Sequence, residues 1–142
     1  MSLSIWIVMS SVMPGPYPRA PRFHARNGPG EDGGVDEEYC EVVVTAEDAD
    51  WLAGFTRTLV EERLAACGHV TGPIRSVYRW EGAVHDEGEA RVALHTRRSL
   101  VPAVVERTRE LHPYDIPCVI AMSLIGGNRE YLHWIVAETR AP

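Results

Sequence analysis

After residue 38 the apolar residues of this chain change their spacing in a fixed order, and that order leaves few folds open. Residues 39–45 form a β-branched run centred on Val42, Val43 and Val44. A run this apolar predicts a strand covered on both faces. Leu52, Phe55, Leu59, Val60 and Leu64 then recur at helical spacing, which predicts an amphipathic helix over 48–66, with Thr45 or Asp48 able to cap it. Gly68 and the pair Gly72-Pro73 break that helix and bracket a short strand, 67–71. From 74 to 80 the period is two: Ile74, Ser76, Tyr78 and Trp80 share one face, and Arg75, Val77 and Arg79 the other.

Residues 81–89 are polar with two glycines and read as a hairpin tip, followed by a return strand over 90–96 with Val92 and Leu94 inward. Ser99 is placed to cap a second helix, 100–111, which tolerates Pro102 in its first turn. Pro113 and Pro117 end that helix and allow a last strand, 119–125. Gly126-Gly127 turns the chain, and Asn128 caps a closing helix that carries Tyr131, Leu132, Trp134 and Ile135.

The order is β-α-β-β-α-β plus a C-terminal helix, the α+β, ferredoxin-like pattern of an antiparallel sheet with both helices on one face. No further helix remains to cover the other face. Tyr78, Trp80, Met122 and Leu124 would form an apolar patch there, and self-association follows.

Composition separates this domain, 38–142, from what precedes it. Residues 1–37 carry five prolines and a glycine-rich acidic stretch, and read as a flexible tail with Trp6 and Tyr17 as its few sticky groups. The 142-residue chain has a net charge of −6, which argues against a nucleic-acid partner. All 14 basic residues are arginine, so Schiff-base and P-loop lysine chemistry is excluded. Cys40, Cys67 and Cys118 are odd in number and form no C-x-x-C pair, which fits reduced thiols in the cytoplasm. No apolar run reaches the roughly 20 residues of a spanning helix, so no membrane role is expected.

Two stretches gather chemistry at the ends of elements: Tyr78-Arg79-Trp80-Glu81-Gly82 and His112-Pro113-Tyr114-Asp115-Ile116-Pro117. His112 closes a helix, where it either caps free carbonyls or ligates. Cys67 and His69 project from one face of an extended strand, a Cys-x-His pair whose softness suits copper or zinc. Trp80, Tyr78 and Tyr114 either pack an interface or line a small-molecule cleft, to which Glu81, Asp115 and Glu61 would add carboxylates. The acidic tip around Asp86, Glu87 and Glu89 lacks EF-hand spacing and reads as a solvated loop.

Leu59-Val60-Glu61-Glu62-Arg63-Leu64-Ala65-Ala66-Cys67, the two stretches above, and Gly127-Asn128 with Tyr131-Leu132 and Trp134 together resemble the CutA divalent-cation tolerance family over residues 39–138. That resemblance implies a homotrimer similar in architecture to PII signalling proteins, a link to copper and other divalent metals, and no catalytic reaction. It also shows departures. Val44 and Leu111 stand where copper-binding relatives carry a cysteine and the first of two histidines, leaving only His112. His95 replaces a common lysine, and His69 a frequent asparagine. The expected function is thus non-enzymatic metal binding by His112 first, then Cys67 and His69, with affinity falling below about pH 6.5. The competing reading is a PII-like module sensing a small molecule at subunit clefts. An enzyme built on Cys67 and His112 has no local signature.

Overall fold

The computed structural model describes residues 39–142; the tail expected over 1–37, with Trp6 and Tyr17, lies outside the described residues. The elements are β1 (Tyr39–Ala46), α1 (Ala49–Glu61), β2 (Cys67–Trp80), β3 (Ala83–Arg97), α2 (Val101–Leu111), β4 (Val119–Ser123) and α3 (Arg129–Glu138). They follow the expected order. The four strands make one sheet, β2-β3-β1-β4, with every neighbouring pair antiparallel. No helix among the described residues is long and apolar enough to cross a membrane.

The inner face of the sheet is the core. Val42 and Val44 of β1, and Val92 and Leu94 of β3, are fully buried against Leu52 and Leu59 of α1 and Val104 of α2. Each such side chain contributes about 1.5–3 kcal/mol by leaving water. The double cover expected for β1 is absent, since buried and half-buried residues alternate along it. Gly68 is fixed by this packing: a Cβ there would lie 2.6 Å from Thr56 Cγ2 and 2.8 Å from Leu94 Cδ2. Its missing side chain lets α1 press onto β2, and strand alternation points its neighbours Cys67 and His69 to the outer face.

Several boundaries differ from the sequence reading. Helix α1 stops at Glu61, short of residue 66, because Arg63 adopts a left-handed φ of 57°. Arg63 N then donates to Val60 O and Leu64 N to Leu59 O, the paired bonds of a Schellman cap. Arg63 also ties α1 to the end of α3, donating from Nη2 to Ala137 O at 2.6 Å and accepting from Arg140 N at 2.9 Å.

The two strands expected over 67–71 and 74–80 are one strand. From the pair Thr71↔Arg91 to the pair Ile74↔Glu89, β2 advances three residues while β3 advances two. That single extra residue is a bulge at Gly72-Pro73.

The hairpin tip is also shorter than expected. Glu81 (φ 47°) and Gly82 (φ 83°) alone form the turn, both left-handed, and residues 83–89 belong to β3. Arg75 with Asp86 and Tyr78 with Glu87 lace the polar arm across its strands. Residues 83–89 are mostly exposed and polar, so this half of the arm carries no apolar alternation that a sequence reading could detect.

Asp48 and Asn128 cap α1 and α3 as expected, each accepting from the backbone N–H two residues on. Ser99 does not cap α2; it lies inside a 3₁₀ turn, Arg98–Leu100, and Leu100 precedes the helix without a side-chain cap. Strand β4 ends at Ser123 rather than 125, although Leu124 N still donates to Tyr39 O.

Candidate metal centre

Strand register builds the site. Glu41 of β1 lies directly opposite His95 of β3, and His95 directly opposite Cys67 of β2. The three form a row across the outer face, with His69 two residues along β2. Tyr131 of α3 leans over the row, its ring 5.8 Å from that of His95 and roughly perpendicular to it. The rings of His69 and His95 also meet edge to face at 5.2 Å.

One donor atom from each of Cys67, His69 and His95 lies within 4.8 Å of the others. Cys67 Sγ and His95 Nδ1 are 3.6 Å apart. A tetrahedral ion with metal–sulfur bonds of about 2.3 Å and metal–nitrogen bonds of about 2.05 Å spaces sulfur and nitrogen about 3.6 Å apart. The fit is therefore already made for that pair, and His69, which is exposed, has room to close the remainder. One thiolate and two imidazoles suit copper or zinc; magnesium and calcium prefer oxygen.

The polar partners of this row are all short-range. Tyr131 Oη lies 2.7 Å from His95 Nδ1 and 3.2 Å from Cys67 Sγ. His95 Nε2 faces Glu41 Oε2 at 3.4 Å, and Arg91 Nη2 stands 3.8 Å from Glu41 Oε1. Burial pushes the Cys67 thiol upward, partly offset by its hydrogen bonds with Tyr131 and His95. Burial first, then the neighbouring sulfur, raises the Tyr131 phenol as well. Burial thus favours the neutral form of both groups, and a bound metal would reverse that preference for the thiol.

His112, expected first among the ligands, is placed elsewhere and is engaged on both ring nitrogens. Its Nε2–H donates to Thr45 O at 2.8 Å, and its Nδ1 accepts from Tyr114 N at 3.0 Å. The ring is wedged between Trp51 and Tyr114 at centroid distances of 4.9 and 4.8 Å. It fastens the end of α2 to β1 and has no spare lone pair.

Tyr78, Trp80 and Tyr114 come together as walls of an open groove of about 690 Å³ beside the hairpin arm, whereas Glu81 sits in the arm's terminal turn. Glu47, Glu87, Glu89 and Asp115 line the same groove, and among the described residues no basic side chain does. The Tyr78 hydroxyl donates to Glu87 at 2.7 Å, which pushes its pKa up to about 12. Such a lining favours cations over anions in this groove.

Residues 40–138 match the family model described as the CutA1 divalent ion tolerance protein. The chain belongs to this family. The CutA1 match extends to individual relatives. The divalent-cation tolerance protein CutA of Thermus thermophilus is 37% identical over 98 residues, covering 69% of this chain and 95% of that protein. Mouse protein CutA is 43% identical over 98 residues, but these span only 55% of its length. Among solved structures, CutA1 from Oryza sativa superposes with a TM-score of 0.72 at 36% identity, over 75% of this chain and 97% of that one.

His95, Glu41 and Tyr131 were not among the site residues expected of this CutA1 chain. The usable signal was His95 itself, a histidine on the outward parity of its strand.

Proposed function

We propose that this CutA1 protein binds a divalent transition-metal ion, copper ahead of zinc, through Cys67, His69 and His95, without catalysing a reaction. The observation that carries this reading is the convergence of three donor atoms within 4.8 Å on one face of the sheet. Copper leads because affinity for nitrogen and sulfur ligands peaks at copper in the divalent series. The name of the Thermus relative, a divalent-cation tolerance protein, supports the same class of ligand. Titration of the reduced protein with copper and with zinc should give one ion per chain, lost in Cys67→Ala and retained in His112→Ala. Failure of the reduced wild type to bind either metal overturns the reading.

The assembly we propose is a homotrimer, on the architecture that the family resemblance implies. Self-association itself is supported by the apolar groups left open on the outer face: Tyr78, Trp80, Ile120 and Met122 are each 40–56% exposed. Trp80→Asp should place a charge in that interface and yield monomer or aggregate. Light scattering that finds the wild type a folded monomer at micromolar concentration overturns the proposal. Three free thiols suit a reducing compartment, in our reading the cytoplasm.

A further inference from the structure

We infer that Glu41 is the positioning residue of this centre: its carboxylate holds His95 in the Nε2–H tautomer and so aims the Nδ1 lone pair at the metal position beside Cys67. The inference rests on the metal reading above and adds to it a residue that touches no metal.

The geometry assigns the two ring nitrogens opposite tasks. Among the described residues Nε2 faces a carboxylate oxygen, Glu41 Oε2 at 3.4 Å, and a carboxylate accepts but cannot donate. The proton of a neutral imidazole therefore belongs on Nε2. Nδ1 is left with its lone pair, 3.6 Å from Cys67 Sγ and 2.7 Å from the Tyr131 hydroxyl, which can donate to it. A carboxylate behind a ligating histidine fixes its tautomer, orients its ring and raises its basicity.

Glu41 is itself held. Direct cross-strand pairing fixes its backbone opposite His95, and Arg91 stands at the other carboxylate oxygen, 3.8 Å away. The side chains of His95 and Glu41 are only 15% and 25% exposed, so water competes weakly for this contact. Tyr131 closes the row on the far side and stands within reach of both ligand atoms.

The test compares zinc affinity, measured by competition with a chromophoric chelator, in wild type, Glu41→Gln, His95→Ala and the double variant. Glu41→Gln keeps an acceptor but removes the charge, and zinc affinity should fall about 10–100-fold. In the His95→Ala background the same change should make less than about a twofold difference, because Glu41 then has no ligand to position. An unchanged affinity in Glu41→Gln overturns the inference while leaving the metal reading intact. An equal loss in both backgrounds also overturns it, since Glu41 would then act only as a nearby charge. Absence of zinc and copper binding in the wild type overturns the metal reading and this inference together.

A second readout needs no metal. Nitrogen-15 NMR of the full, reduced chain should show His95 as the Nε2–H tautomer, shifting toward a mixture in Glu41→Leu. A wild-type His95 protonated on Nδ1 alone overturns the assignment.

Discussion

His95 and His112 are both largely buried side chains on polar duty, yet their ring nitrogens meet different kinds of partner. His112 meets a backbone carbonyl on one nitrogen and a backbone N–H on the other, so both of its bonding positions are spent on the fold. His95 meets a carboxylate on one nitrogen and, on the other, only side-chain groups able to yield to a metal. On the proposed metal reading, what distinguishes a ligand from a cap is the partner of each ring nitrogen. Neither burial nor position at the end of an element decides it.

The comparison is broken most directly by deleting donors. Cys67→Ala or His95→Ala should lower copper affinity by more than about 100-fold, since a lost ligand exceeds the roughly 10–100-fold of an outer partner. Isothermal titration would measure it, with thermal unfolding of the metal-free protein as control.

His112→Ala should do the reverse. It removes two hydrogen bonds and a ring packed between two aromatics, and should cost about 2–4 kcal/mol in denaturant unfolding. Metal affinity should stay within about 0.5 kcal/mol of wild type, as for a separate site. A large affinity loss without destabilisation would erase the distinction drawn between the two histidines.

Gly68→Ala sharpens the comparison from the other side of the sheet. The new methyl meets Thr56 and Leu94 below 3.0 Å and should destabilise by about 1–3 kcal/mol. Weaker zinc binding should accompany it, because Cys67 and His69 ride on the same strand; equal affinity with lower stability would show the row to be insulated from α1.

The smallest effect belongs to another histidine contact, where Tyr78 stacks on half-buried His85. Glu87→Gln should return the Tyr78 phenol from about 12 towards the ordinary value, near 10. A raised folded-state pKa favours the fold below pH 10, and that contribution fades as pH climbs through 12. Absorbance titration should register the shift, with only a small loss of stability at neutral pH because both groups are exposed to solvent.

The element order was legible because periods of two and of 3.6 alternate cleanly wherever one face is buried. Asp48 and Asn128 were legible as caps because their side chains act within two residues. The end of α1 was not, since Arg63 takes a conformation usually left to glycine and is held there by Ala137 and Arg140, more than seventy residues away. At the site, Cys67 and His69 could be paired by parity along one strand. Joining them to His95 and Glu41 required the register of three strands, and Tyr131 required the docking of α3. His112 misled because a helix-ending histidine looks alike in sequence whether it caps or ligates.

The bulge at Gly72-Pro73 has a genetic reading. It is the one place where β2 is a residue longer than its partner, and it keeps Cys67 and His69 on the same side as Tyr78 and Trp80. Losing a single codon there would remove the extra residue, so that β2 and β3 would each advance two residues between Thr71↔Arg91 and Ile74↔Glu89. Cys67 would still face His95 and Tyr78 would still face His85. Losing a second codon would instead leave β2 one residue short, and the slip would reverse every side chain on one side of the join. An in-frame deletion of three nucleotides would thus leave Cys67 and the aromatic arm on one face, and a deletion of six would separate them.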